Sequence, residues 1–304
     1  MKQIPGAVSD QVNAQPIERG RSPVGSSLPA SLWTLYALTF RQHMHGRRWI
    51  VMAILFLLPA GLAVLIRATA PDMPVPGNEF LIVFLFIPQA LLPLVALVYA
   101  SGIIQDEQEE QTLTYLLIRP IPRWSIYVVK LLATLTTTVL LTSIFTALTY
   151  LVIYVGSKSA PADVMMRCLK AIVVHDLAVV CYCCLFGVMS LLTRWALILG
   201  VLYALFFEWL VANLPFSVRL VTVIYYARLI AFRSMEFIVK EHGHEENIAA
   251  IMWQFDLKAD PHLAEHPSLQ SCLLVLAAAS LVFTILAALI CARREFYVKT
   301  PEGA

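Results

Sequence analysis

Six unbroken apolar runs dominate this sequence, and each is long enough to cross a membrane as a helix. A hydrocarbon layer about 30 Å thick needs about 20 residues of α-helix. The composition agrees, because hydrophobic residues make up 59% of the 304-residue chain and charged residues only 14%. A water-soluble fold cannot cover its surface from such a composition. The sequence therefore predicts an all-α, polytopic membrane protein.

The predicted spans divide the rest of the chain into distinct segments. The spans are expected at residues 49–66, 80–100, 125–155, 171–192, 195–213 and 272–292. Residues 1–27 are rich in Gln, Pro, Gly and Ser and lack an apolar period, which predicts a disordered cytosolic tail. Residues 28–304 then form the transmembrane domain, with a loop at 101–124 and an outer helical segment at 214–270.

Basic residues near the span ends predict the orientation. Placing both termini in the cytosol gives the inner side most of the basic residues, among them Arg47, Arg48, Arg119, Arg123, Arg194, Arg293 and Arg294. This orientation predicts a multi-pass protein of the cell (inner) membrane. The net charge of +2 gives no bulk attraction to nucleic acid.

The stretch 216–239 is apolar enough to suggest a seventh span, but it carries Arg219, Arg228, Arg233 and Glu236. Each arginine at mid-bilayer would cost about 2.5 to 3.5 kcal/mol. We therefore expect one or two amphipathic helices on the outer membrane surface or dipping partly into it.

The connection between the second and third spans is the most informative stretch. Four of the five residues 106–110 are carboxylates, which cannot enter lipid. Leu113, Leu116 and Leu117 recur at helical spacing, and Pro120 and Pro122 follow them. The pattern predicts a short exposed helix with an apolar stripe, suited to docking a separate cytosolic protein. The alternative is a solvated loop that merely avoids the bilayer.

These residues resemble the signature of the ABC-2 membrane subunits, the permeases of type-2 ABC exporters. That signature reads Glu-x-Glu-x-Gly-Thr-Leu, two leucines, Pro-Ile or Pro-Val, an Arg and a downstream Lys. The matching positions are Glu107, Glu109, Thr112, Leu113, Leu116, Leu117, Pro120, Ile121, Arg123 and Lys130, whereas Gln111 replaces the usual glycine. The order of the spans, the loop and the outer segment is also similar.

The resemblance implies both a mechanism and partners. In that family the loop forms a coupling helix in a groove of an ATP-binding subunit, and two such subunits drive two membrane halves between inward-facing and outward-facing states. The second half would be another copy or a paralogue. The amphipathic stretch from Leu32 to Met44 occupies the place of the family's elbow helix, although a plain juxtamembrane helix explains it equally well.

The chain shows no ATP-binding or catalytic motif of its own. Its sequence contains no Gly-x-x-x-x-Gly-Lys-Ser/Thr run, no His-Glu-x-x-His and no Gly-x-Ser-x-Gly. We expect a transporter permease rather than an enzyme, with no cofactor other than the ATP bound by the partner subunit.

The alternative function is a secondary ion- or proton-coupled carrier, supported by ionisable residues inside spans. His175 and Asp176 lie near the predicted start of the fourth span, and Glu208 lies near the end of the fifth. All three are therefore expected in the outer third of the membrane, as one outer polar site or as side chains reaching the headgroups.

Two further features concern metals and disulfides. The outer segment contains His242, His244, His262 and His266 with nearby carboxylates, which are donors for zinc or copper, but their spacing fits no fixed ligand pattern and no metal site is predicted. Cys168 and Cys272 fall near the outer ends of two spans and would form a disulfide only if those ends adjoin in an oxidising compartment.

Overall fold

Six membrane-spanning helices form the fold, as the sequence predicts. The computed structural model describes residues 28–70, 73–109, 122–155, 161–214, 217–241, 244–253 and 266–293. Within these residues the helices long and apolar enough to cross a membrane are Arg47–Thr69, Val75–Gln105, Arg123–Tyr154, Asp163–Leu192, Ala196–Asn213 and Leu269–Arg293. We call them spans one to six. The predicted tail at 1–27 lies outside the described residues.

Two spans change helix type along their length. Span two consists of an α-helix at Val75–Glu79, a π-helix at Phe80–Leu91 and an α-helix at Leu92–Glu109, whose last four residues extend past the apolar span. Span five consists of an α-helix at Ala196–Tyr203, a π-helix at Ala204–Leu210 and a 3₁₀ turn at Val211–Asn213. The two π-helices contact each other where the Gln89 side chain donates to the Glu208 carbonyl at 2.9 Å.

Spans two and four form the centre of the bundle, and they are the most buried of the six. Span three packs closely on span four at Gly187, where an added Cβ would lie 2.5 Å from the Tyr127 hydroxyl. Small residues allow such close helix packing in membranes. Span six is peripheral, and its buried residues are Cys272, Leu276, Ala287 and Cys291.

Span four begins earlier than the sequence indicates. Its α-helix covers Pro161–Leu192, whereas the apolar run predicted a start near residue 171. The extra turns contain Arg167 and Lys170. Both are accommodated by protein contacts, since Arg167 pairs with Glu79 and Lys170 donates to the Ser234 carbonyl at 2.8 Å.

The segment between spans five and six contains helical elements and a β-hairpin. A 3₁₀ turn at Ser217–Val221 leads into an α-helix at Val223–Ser234, which we call the interspan helix. This helix is mostly buried and packs against spans two, four and six, and its position at the outer membrane surface stays a prediction. A short antiparallel hairpin follows, formed by Ile238–Glu241 and His244–Asn247 and then a helical turn at Ile248–Met252.

The bundle has two ends that differ in their contacts. We call the end with this β-hairpin the hairpin end. The other end, called the loop end, contains the beginning of span three and the ends of spans four and six. There the Cys291 thiol donates to the Arg123 carbonyl at 3.4 Å. The N-terminal α-helix, Leu28–His45, packs against span three, and its Tyr36 hydroxyl donates to Thr136 at 3.1 Å.

Candidate functional site

The base of the acidic loop at 101–124 is fixed to the bundle core. The Gln105 side chain donates to the carbonyls of Ser190 and Thr193 at 3.3 and 2.8 Å, at the end of span four. Lys130 of span three is buried and donates to the Ile103 carbonyl of span two at 3.3 Å. Because buried polar groups without partners are costly, these bonds define a specific geometry. Gln105 thus joins the base of the loop to the end of span four.

The structure describes part of the predicted coupling motif. Glu107 and Glu109 lie on the helical extension of span two that ends at Glu109, and Arg123 is an exposed residue at the beginning of span three. The other predicted coupling residues, Thr112, Leu113, Leu116, Leu117 and Pro120, lie outside the described residues. The motif's ends are thus held at the loop end of the bundle.

His175 and Asp176 lie near the middle of the helix that forms span four. Asp176 is 15 residues from the beginning and 16 from the end of the helix Pro161–Leu192, about 23 Å along the axis from either terminus. This helix begins ten residues before the predicted span, so both residues lie near its midpoint, and their position in the outer third of the membrane stays a prediction. Ser143 donates to Asp176 at 2.8 Å, and the Thr146 hydroxyl lies 3.2 Å from His175 Nδ1.

Glu208 has a separate environment and caps the interspan helix. Its carboxylate is fully buried and accepts hydrogen bonds from the backbone amides of Val223 and Ile224, at 3.1 and 2.9 Å. The Tyr203 hydroxyl donates to it at 2.9 Å. A carboxylate at a helix N-terminus satisfies free amides and complements the helix dipole. In the described part of the chain, Glu208 thus bonds to Tyr203 and the interspan helix, whereas His175 and Asp176 contact hydroxyls of span three.

Arg228 links the interspan helix to spans two and five. Its guanidinium donates to Asn213 at 3.0 Å and also to Gln89. Burial lowers the pKa of Arg228 to about 10, against the smaller opposing effect of Tyr182 and Glu208, so the side chain stays charged at neutral pH. Gln89, Glu208 and Arg228 thus connect both π-helices to the interspan helix.

A second polar cluster, at the hairpin end, was not predicted. The Glu79 carboxylate is fully buried, and Arg167 Nε donates to both of its oxygens at 3.0 and 3.1 Å. The hydroxyls of Tyr150 and Tyr154 donate to it at 2.7 and 2.6 Å. Arg167 also donates to the Glu236 carbonyl at 2.9 Å. The cluster joins spans two, three and four to the hairpin segment.

The histidine candidates for metal binding are only partly described. His242 and His262 lie outside the described residues, and only the backbone of His244 is described. His266 Nδ1 lies 3.1 Å from the Tyr225 hydroxyl, whose pKa burial raises to about 12. The described residues contain no group of three or more potential metal ligands.

The cysteines do not form the disulfide considered from the sequence. Cys168 and Cys272 are both free thiols, as are the other four cysteines. Cys183 lies 3.6 Å from the Thr138 hydroxyl, and Thr284 donates to Cys184 at 3.4 Å. These thiols therefore act as buried packing groups with weak polar contacts.

The fold defines a multi-pass helical membrane protein. The family described as ABC-2 family transporter protein matches residues 45–211, which is more than half of the chain. The chain belongs to the ABC-2 family and is a membrane permease subunit of an ABC transporter. Permeases of this family generally work with an ATP-binding subunit. A search of curated proteins found no match to the chain.

Proposed function

We propose that this chain couples ATP hydrolysis by a separate subunit to the export of a substrate across the membrane. The attachment of Gln105 to Ser190 and Thr193 is the main support for this proposal. A partner that moved the acidic loop would pull on the carbonyl groups at the end of span four. Span four also packs on spans two, three and six, so the movement would spread through the bundle.

The chemistry of the loop supports docking of a cytosolic protein. Its carboxylates at 106–110 are suited to contact basic residues at the rim of a groove on the partner. Its leucines at 113, 116 and 117 are suited to enter the apolar floor of that groove. In this proposal Glu107, Glu109, Thr112, Leu113, Leu116, Leu117, Pro120 and Arg123 contact the ATP-binding subunit. The acidic residues steer the association of the two proteins, and the leucines supply most of the apolar area that is buried in the interface.

The distribution of basic residues supports an orientation with the loop end in the cytosol. At the loop end Arg47, Arg194 and Arg293 are exposed. At the hairpin end Arg67 and Arg233 are exposed too, but each donates to backbone carbonyls, and Arg167 pairs with Glu79. Exposed cationic residues favour the cytosolic side. Both termini would then be cytosolic, and the hairpin would face the outside of the cell (inner) membrane.

The proposed assembly contains two permease halves and two ATP-binding subunits. The second half is another copy or a paralogue, since closed symmetric assemblies favour a paired arrangement. Spans one and five present wide apolar faces, because only 28% of the most apolar part of each span is buried inside the chain. A partner permease and lipid would share these faces. The N-terminal helix would act as an elbow at the cytosolic surface.

Charge reversal in the loop tests this proposal. The double variant Glu107→Lys, Glu109→Lys should insert normally but lose co-purification with the P-loop ATPase captured by the wild-type chain. Glu236→Lys is the matched control, because Glu236 is exposed at the hairpin end. Retention of the ATPase by the double variant at the wild-type level would contradict the proposed docking.

A second candidate function is the ion- or proton-coupled carrier, which is favoured by the position of Asp176 near the middle of its helix. Asp176 lies near the middle of span four, and its Oδ1 has no hydrogen-bond partner within the described part of the chain. Carboxylates at this depth often serve ion or proton pathways. Glu208, in contrast, is occupied as a helix cap.

The two functions differ in their energy source. In vesicles with a pH gradient and no ATP, a carrier would move protons with its substrate, and Asp176→Asn would abolish this. The ABC proposal expects no gradient-driven flux from the purified chain. It also expects ATP-dependent activity of the complex to survive the Asp176→Asn change.

A further inference from the structure

An open groove separates spans four and six at the loop end of the bundle. Its volume is about 460 Å³, within the range of pockets that hold small molecules. It is lined by Leu191, Leu192, Leu286, Leu289, Ile290 and Arg293. Five of these six side chains are aliphatic, and the sixth carries the charge at the end of span six.

Span six packs against span four, but few of its side chains are buried. Its four buried residues are Cys272 and Leu276, one helical turn apart, and Ala287 and Cys291, again one turn apart. Leu286 and Leu289, beside the second pair, are 44% and 51% exposed. An apolar groove between membrane spans excludes water and is filled by hydrocarbon. Its occupant therefore needs at least one acyl chain.

A cationic side chain stands at one end of this apolar groove. Arg293 is exposed, and no hydrogen bond or ion pair involves it among the described residues. Arg194, two residues after Leu192, is also exposed and lies 5.7 Å from the centre of the Trp195 ring. Guanidinium groups bind phosphate by paired hydrogen bonds. Basic pockets between spans on the cytoplasmic side bind anionic headgroups.

We infer that the groove between spans four and six binds an anionic phospholipid. One acyl chain lies along Leu191, Leu286 and Leu289, and the phosphate contacts Arg293. The lipid fills the gap beside Ala287 and Cys291 and holds the end of span six against span four. Span four also receives the Gln105 hydrogen bonds, so the lipid lies beside the element proposed to respond to the loop. The inference goes beyond the proposed function, because lipid binding needs neither ATP nor a partner.

Native mass spectrometry of the full chain tests the site. The protein is reconstituted in mixed nanodiscs of phosphatidylglycerol and phosphatidylcholine with identical acyl chains, released into detergent, and its retained lipids are counted. The wild type should retain phosphatidylglycerol in preference to phosphatidylcholine. Arg293→Gln should lower this preference about fivefold, the effect of one basic residue near a membrane surface. Arg293→Lys should keep most of it.

Matched variants separate this site from general lipid contact. Arg47→Gln removes an exposed arginine at the loop end outside the groove and should leave the preference unchanged. Leu289→Trp should obstruct the groove and reduce the number of retained lipids, whereas Leu58→Trp, on an exposed position of span one, should not. Soluble glycerophosphate should not displace the lipid, because it lacks an acyl chain.

Three results would overturn the inference. The first is that Arg293→Gln and Arg293→Lys both retain phosphatidylglycerol over phosphatidylcholine with the same preference as the wild type. The second is equal lipid retention by Leu289→Trp and Leu58→Trp, which would mean annular lipid only. The third is displacement of the bound species by glycerophosphate, which would mean a site for free phosphate.

Discussion

The partly exposed Arg167 forms an ion pair with the fully buried Glu79 at the hairpin end, with the guanidinium Nε 3.0 Å from one carboxylate oxygen and 3.1 Å from the other. Arg167 also lies 5.5 Å from the centre of the Phe237 ring. One carboxylate thereby connects three spans, and one guanidinium connects them to the segment preceding the hairpin. The pair fixes the hairpin end in this conformation of the bundle.

Removing one member of this pair should be strongly destabilising. Glu79→Gln leaves Arg167 without its counter-ion and weakens the hydrogen bonds from Tyr150 and Tyr154. We expect a loss of about 3 to 5 kcal/mol in the free energy of unfolding, measured by denaturation in mixed micelles. Glu236→Gln changes an exposed carboxylate in the same region and should cost less than about 0.5 kcal/mol. Equal stability of the two variants would contradict a structural role for the pair.

The cap formed by Glu208 predicts a local effect on the interspan helix. In Glu208→Gln the side-chain amide loses the charge that faces the amides of Val223 and Ile224. We expect a loss of about 1 to 2 kcal/mol and faster hydrogen exchange of these two amides. Exchange in the hairpin serves as the internal control. Unchanged protection of residues 223 and 224 would show that Glu208 does not cap this helix in the membrane.

The attachment of the loop predicts that docking and movement can be separated. Gln105→Ala removes the donor to Ser190 and Thr193 but leaves the loop sequence intact. The variant should still co-purify with the ATP-binding subunit. Its ATP-dependent fluorescence change, from a dye at Val218→Cys near the hairpin end, should fall several-fold.

The matched control for this experiment is Gln108→Ala, which changes the same residue type on the helical extension between Gln105 and Glu109. The chain carrying only its native cysteines measures background labelling. A full ATP-dependent signal in Gln105→Ala would show that these bonds do not transmit the movement.

The sequence predicted the elements of this fold better than their polar contacts. Six spans followed from apolar length alone, because a membrane requires about 20 apolar residues for each helix. The helix of span four is longer than the predicted span, and the residues that accommodate Arg167 and Lys170 are distant in sequence. Glu79 was missed for the same reason, as Tyr150 and Tyr154 are 71 and 75 residues away.

The interspan helix shows a second limit of such predictions. Its arginines indicated a position at the membrane surface, because an unpaired arginine in lipid is costly. In the structure Arg228 is buried among Asn213 and Gln89, and Arg219 lies 5.3 Å from the centre of the Tyr225 ring. Periodicity and charge cannot reveal partners supplied by other helices.

Site-specific photo-crosslinking tests the central claim most directly, namely that the loop between spans two and three contacts an ATP-hydrolysing partner. A photoreactive residue at Leu113 or Leu116 should crosslink a P-loop ATPase in native membranes, identified by mass spectrometry. The same residue at Ile251, which is 61% exposed beyond the hairpin, should not. Crosslinks to the ATPase from Ile251 instead, or from neither loop position, would contradict the account.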